Sequence, residues 1–279
     1  MIGRTERVPL TTKLLLYLVL ALVGVVMAYP FFFMVTTSLK TNQDVFANIL
    51  APFGSKLEWS NYTDVLTKVN MGRYMLNTLF VAVCVVAGQV FTSMMGGYAF
   101  ARINFPGRDI IFRAYLATMM IPFMVVLIPT YKLMLMFGWV NTYQALIVPW
   151  LFTAIGTFMF RQFFISMPKE LEEAAIIDGA SRWRILWRIF APLSLPVIAT
   201  QATLSFLYAW NSFIWPLVIN QNKSHYVVTQ GLADIQGGYH ANVPYIMAGS
   251  TLVILPTVLV FLIAQRYFVE GIATTGLKG

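Results

Sequence analysis

The sequence predicts an all-α integral membrane protein with six membrane-spanning helices, and three observations carry that reading. Of the 279 residues, 58% are hydrophobic and only 11% are charged. A soluble domain carries about 25% charged residues and at most about half apolar ones. A soluble fold of this size has no way to hide so much apolar surface, so lipid must act as solvent for part of it. The apolar residues also gather into six runs, each near the roughly 20 residues a helix needs to cross the hydrocarbon core. Finally, lysine and arginine concentrate on one set of connecting segments, the bias that orients membrane chains.

The runs are approximately Leu14–Met34, Met75–Tyr98, Tyr115–Met136, Thr142–Phe164, Leu195–Leu217 and Ile246–Phe261. Helices are the required form because no backbone polar group can go unpaired in lipid. The first run follows Arg4, Arg7 and Lys13, as a signal peptide would, but no small-residue cleavage site precedes Pro30. It is therefore read as a retained anchor. With no repeat of solenoid period and no long linker, residues 1–279 read as one transmembrane domain. Its anchor span is 14–34, its core spans lie within 75–261, and its longest cytoplasmic loop is 166–192.

Several spans are not ideal. Pro122 and Pro129 interrupt the third and Pro149 sits early in the fourth, so kinks are expected where a backbone donor is missing. In the second, Gly88, Gly96 and Gly97, with Ala99 and Ala101 beyond, leave room for close helix approach.

With the N-terminus inside, thirteen of the 19 lysines and arginines fall in cytoplasmic segments and six outside. Both termini are therefore expected in the cytoplasm. The net charge of +8 then means basic loops against an anionic leaflet, not a nucleic-acid partner. All eleven acidic residues lie in loops, termini or the cytoplasmic segment after the fourth run. An ion-coupled carrier usually needs an ionisable or strongly coordinating group near the midplane, so that class is disfavoured. No phosphate-cradling G-x-x-x-x-G-K-[ST] loop is present, so uphill transport would need energy from another subunit. Cys84 is the only cysteine, and there is no cluster of metal-ligand spacing. His225 and His240 read as exposed loop histidines. An intramembrane enzyme lacks any nucleophile–base pair, and neither a catalytic residue nor a bound cofactor is expected.

The longest cytoplasmic loop carries the sharpest signal. Pro168 suits a first helical position, and Glu170, Glu172 and Glu173 follow at the positive end of the dipole. Ala174, Ala175 and Ile176 make a small apolar surface. Asp178-Gly179 is a stop that leaves glycine free to adopt positive φ, followed by Ala180. Ser181 then caps a second helix, whose Trp183, Leu186, Trp187 and Phe190 form an apolar stripe beside Arg182, Arg184 and Arg188. Two readings stand on physics alone: a helix shaped for another protein's groove, and one resting on lipid.

Glu173-Ala174-Ala175, Gly179 and Ile189, with the intervals between them, resemble the "EAA" coupling loop of ABC-importer permeases. Where that family ends the motif in Ile-x-Leu-Pro, this chain has Ile189-Phe190-Ala191-Pro192. Tyr98-Ala99-Phe100-Ala101-Arg102 with Phe105-Pro106-Gly107-Arg108, and Trp210-Asn211 with Pro216-Leu217, are similar to segments of the maltose-type carbohydrate-uptake permeases. The tail Gly271–Gly279 resembles that of the second of their two permease subunits. The resemblance spans essentially the whole chain. It implies a pore-forming subunit in a bacterial or archaeal plasma (inner) membrane, paired with a different permease. It also implies two copies of a cytoplasmic ATPase that bind ATP and Mg, and an external solute-binding protein that delivers a sugar or oligosaccharide. A glycerol-phosphate ester or other polar solute is the alternative cargo. By resemblance, Glu172, Glu173, Ala174, Ala175, Asp178, Gly179 and Ala180 form the ATPase-coupling helix between spans four and five. An assembly subunit of another membrane complex would make that loop a coincidence.

Two further sets of candidates follow. Thr203, Tyr208, Trp210 and Asn211, with Trp215 beyond, interrupt the fifth run. Amides bond sugar hydroxyls and aromatic faces cover the ring's C–H groups. Asn211 reads equally as a link to a neighbouring helix, and Trp215 as part of an aromatic belt. Gly237, Gly238 and Tyr239, in the outer segment Asn220–Val243, are candidates for contact with the solute-binding protein, or an ordinary loop.

Overall fold

A computed structural model describes residues 9–48, 51–238 and 242–275, whose regular structure is all helical, with no strand among them. In order, the elements are α1 (Leu10–Ser38), α2 (Asn42–Ala47), α3 (Ser60–Thr67), α4 (Met71–Arg102), α5 (Arg108–Ala117), a 3₁₀ turn at Thr118–Met120 and α6 (Phe123–Met136). Then come α7 (Tyr143–Ile147), a 3₁₀ turn at Val148–Trp150, α8 (Ala154–Ser166), α9 (Glu170–Ile177) and α10 (Arg182–Ile185). A π-helical turn at Leu186–Phe190 joins α10 to α11 (Ala191–Leu193) and α12 (Leu195–Trp210). The chain continues through α13 (Ile214–Ile219), a 3₁₀ turn at Lys223–His225, α14 (Val228–Gly238) and α15 (Val243–Thr275).

Four stretches are long and apolar enough to cross a membrane: Leu10–Ser38, Met71–Arg102, Tyr143–Ser166 and Val243–Gln265. Two further pairs pass only together, Arg108–Met120 with Phe123–Met136 at 99° and Arg182–Leu193 with Leu195–Trp210 at 82°. The third apolar run is therefore broken rather than kinked, and the break falls at Pro122. Proline drives its predecessor out of the helical region, and Ile121 sits at φ −84°, ψ 113°. Pro129 lies inside α6 without ending it. The fifth run also differs from a single helix: α12 stops at Trp210 and the chain resumes as α13. Pro216 explains the interruption, since its ring would clash with the carbonyl four residues back if one helix ran through.

The described residues form two compact units, one within Met1–Val69 and Asp234–Leu252 and the other within Asn70–Ala233 and Val253–Gly279. In the first, every side chain of α1 from Leu10 to Phe32 is exposed, as suits a helix facing lipid all round. Its 29 residues span roughly 43 Å at about 1.5 Å per residue, enough for the hydrocarbon core. Asn61 fixes the end of this helix by donating its amide to the carbonyls of Ser38 (2.8 Å) and Lys40 (3.0 Å). Asp64 accepts from Lys68 at 2.7 Å and from the Tyr245 hydroxyl.

In the second unit α8 and α12 pack on α4. A Cβ on Gly97 would lie 2.5 Å from Phe160 Cβ and 2.9 Å from the Arg161 backbone nitrogen, so only glycine lets α4 and α8 approach this closely. Mid-helix, Gln89 donates to the Trp150 carbonyl at 2.7 Å and accepts from the Ser205 hydroxyl at 2.6 Å. Thr92 donates to the Leu151 carbonyl at 2.7 Å. These side chains satisfy carbonyls freed where the chain breaks between α7 and α8, which lipid would leave unpaired. Trp215 is 2% exposed and donates its indole N–H to the Ala145 carbonyl at 2.9 Å, so it belongs to the interior and not to an aromatic belt. His225 is half-buried, with its ring 4.8 Å from that of Tyr143, where an exposed loop histidine was expected. His240 lies outside the described residues.

Candidate functional site

The segment after α8 is built on the ends of α4 and α8. Arg102, the last residue of α4, donates through Nη2 to the carbonyls of Phe164 (2.5 Å) and Met167 (2.6 Å), where α8 runs out of partners for its own oxygens. Arg161 of α8 returns the contact, donating to the Phe100 carbonyl at 3.2 Å and stacking 4.2 Å above the Phe112 ring. Each helix C-terminus therefore has a guanidinium from the other, the charge its dipole favours. Beneath lies a core of Met94, Tyr98, Phe160, Phe164, Ile185, Leu186 and Phe190, all under 4% exposed.

On this base α9 runs from Glu170, with Lys169 as N-cap and Glu170, Glu172 and Glu173 in the first turn. Pro168 therefore lies just ahead of the helix and not at its first position. The helix ends as its sequence demands. Gly179 sits at φ +75°, the Gly179 N–H donates to Ile176 and the Ala180 N–H to Ala175, at 3.0 and 2.9 Å. This is a Schellman closure that a Cβ would strain. Ser181 caps α10 by accepting from the Arg184 N–H at 3.3 Å.

The two helices present different things. On α9, Glu173, Ala174, Ile176, Ile177, Asp178 and Gly179 are exposed, Ile177 at 86%, while Ala175 is buried and Ala180 half-buried. The apolar stripe expected on the second helix instead turns inward, with Leu186 and Phe190 in the core and Trp187 stacked 5.6 Å from Phe91. Only Trp183 of that stripe is exposed, at 54%. The π-helical turn shifts the register by one residue and brings Ile185 inside as well, which a regular 3.6-residue stripe does not anticipate.

Glu172 faces inward. Its Oε1 accepts from the Tyr98 hydroxyl at 3.0 Å and from Arg182, and its Oε2 lies 3.8 Å from Arg102. A cavity of about 500 Å³ opens beside this group, lined by Arg102, Arg161, Lys169 and Arg182 as well as Glu172 and Glu173.

The fifth-run residues do not share one face. Thr203 and Trp210 are buried, Thr203 bonded to the Ala199 carbonyl (2.8 Å) and Trp210 to the Val253 carbonyl (2.9 Å). Tyr208 and Asn211 point outward, Tyr208 beside Trp150 with ring centroids 5.5 Å apart. Asn211 closes α12, and its amide donates to the Leu207 carbonyl at 2.8 Å. Gly237 and Gly238 end α14 with open space around them. Tyr239 lies outside the described residues.

Residues 88–274, which hold the whole of this segment, match the family described as the binding-protein-dependent transport system inner membrane component. The chain belongs to that family. It is 33% identical to the arabinooligosaccharides transport system permease protein of Halalkalibacterium halodurans, over 93% of this chain and 94% of the relative. It is 30% identical to the sn-glycerol-3-phosphate transport system permease protein of Agrobacterium fabrum, over 95% and 97%. The fold matches that of a bacterial ABC transporter involved in the import of the acidic polysaccharide alginate, with a TM-score of 0.81, 21% identity, and coverage of 96% of this chain and 99% of that one. The protein is thus an importer permease of the inner membrane, a class that moves solute without chemistry of its own.

Proposed function

We propose that this permease forms one half of the pore of an ATP-driven importer of a sugar or oligosaccharide, and that α9 is the helix its ATPase engages. The observation that carries the reading is the exposed edge of α9. Glu173, Ile176 and Ile177 stand free on a helix whose base is fixed to α4 and α8 by paired arginines. An exposed apolar ridge on a rigid mount fits a groove in another protein, and the inward turn of the tryptophan stripe removes the main support for a helix resting on lipid. In this reading the two bent pairs each cross once, the spans number six within one domain, and both termini are cytoplasmic. ATP and Mg sit on two copies of the ATPase, a second non-identical permease completes the pore, and a solute-binding protein docks outside near Gly237 and Gly238. Closure of the ATPase biases the pore between two states, which is all that coupling requires.

A neutral, hydroxyl-rich cargo is favoured over a phosphate ester. Tyr208 and Asn211 are the outward candidates for lining, and no lysine or arginine occurs from Ile189 to Asn222 to meet a phosphate. The test is Glu173→Lys in membranes that also carry the other subunits. ATPase recovered with the permease falls at least about tenfold, since a like charge at an interface costs several kcal/mol, while the amount of permease in the membrane is unchanged. Recovery at the wild-type level contradicts the assignment of α9.

A further inference from the structure

Glu172 stands one residue ahead of the glutamate that the coupling motif names, and the structure gives it different work. Its side chain is 9% exposed, against 5% for Arg102 and 52% for Arg182. Three groups converge on this one carboxylate, and they come from two separate places in the chain. Tyr98 and Arg102 belong to the last turns of α4, and Arg182 opens α10 just beyond the Gly179 turn. Arg102 also packs on the ring of Phe190, 5.2 Å away. Exposed ion pairs contribute little, but a buried carboxylate between two guanidiniums is screened far less. Without it, Arg102 is left as a buried cation facing Arg182.

We propose that Glu172 is the positioning residue of the coupling segment: by binding Tyr98, Arg102 and Arg182 together it fastens α9 and α10 to the end of α4. Displacement of α9 then reaches α4 directly and is not absorbed in the loop. This rests on the assignment of α9 as the coupling helix and adds the element through which it acts. The division of labour is sharp. Glu173 faces out and meets the partner, whereas Glu172 faces in and meets this chain's own helix.

The test is Glu172→Gln, which keeps shape and hydrogen bonding but removes the charge, in the complete complex reconstituted in nanodiscs. Stimulation of hydrolysis by the loaded solute-binding protein, taken as a ratio to the same variant's own basal rate, falls about tenfold, the scale of a lost charged hydrogen bond. Spin labels at Ile177 on α9 and Leu79 on α4, both exposed, read the fastening itself. In the wild type their separation is narrow and the same without nucleotide and with vanadate-trapped ATP. In Glu172→Gln it broadens. If Glu172→Gln fails to reach the membrane, Tyr98→Phe and Arg182→Gln carry the test, with the same broadening in weaker form and no additivity when combined. Unchanged stimulation, a wild-type separation that shifts between the two states, or additive effects overturn the proposal. Failure of wild-type permease to retain any ATPase strikes the assignment of α9 instead, and the broadening in Glu172→Gln, which needs no nucleotide, still decides the fastening.

Discussion

The α9–α10 segment and the outward side of α12 both offer polar and aromatic residues, yet they are held in opposite ways. At the base of α9, several polar groups have specific partners. Arg102 and Arg161 bond the ends of each other's helices, Gly179 closes the turn, and Glu172 gathers three side chains. On α12, Asn211 bonds only its own helix, to the Leu207 carbonyl, and Tyr208 rests against a neighbouring ring. On the proposed reading the first region is a mount that delivers movement, and the second a surface whose side chains meet a solute. A rigid segment fails when its geometry is disturbed, and a lining surface changes its preference without failing.

The sharpest way to break the contrast is at Gly179. Nothing lies within 4 Å of a Cβ added there, so its glycine is required by φ +75° alone. Gly179→Val places a β-branched residue in the left-handed region at a cost of about 1–3 kcal/mol. It should reduce ATPase recovered with the permease by at least about tenfold. Gly179→Asn, which tolerates that region, should retain most of it, as measured by co-purification. Equal losses for both would mean that the turn matters for a reason other than its backbone.

A milder effect is expected on the other side. Asn211→Ala removes one exposed bond within a single helix, worth about 1 kcal/mol or less, so assembly and ATP hydrolysis should be unchanged. Uptake of labelled oligosaccharide into vesicles should fall several-fold or shift between sugars of different length. Loss of assembly would make α12 a mount like α9 and erase the distinction.

The same contrast explains what could be read from the amino-acid order. Helix α9, its glycine stop and the serine cap that follows rest on interactions within a few residues, so the local structure from Glu173 through Ser181 was legible. The close approach at Gly97 was legible too, because small residues at helical spacing have few other uses in a membrane. The orientation of Glu172 was not, since it depends on Tyr98 and Arg102 some 70 residues earlier. The breaks at Pro122 and ahead of Pro216 were visible as proline, but their size depends on packing around them. The burial of Thr203 and Trp210 was not legible, because neighbouring helices decide which face is covered. The burial of Trp215 follows from the same cause: an indole N–H finds the Ala145 carbonyl only once α7 is in place.

Cysteine crosslinking in the assembled complex shows whether the exposed edge of α9 is where the ATPase binds. Single cysteines at Ile177, Trp183 and Asn211, all exposed, are compared with a short bifunctional reagent and probed for a permease–ATPase adduct. Strong crosslinking is expected from Ile177, little from Trp183 and none from Asn211, with the Ile177 adduct changing in yield between nucleotide-free and ATP-bound states. An adduct from Trp183 with none from Ile177 would contradict the assignment of α9.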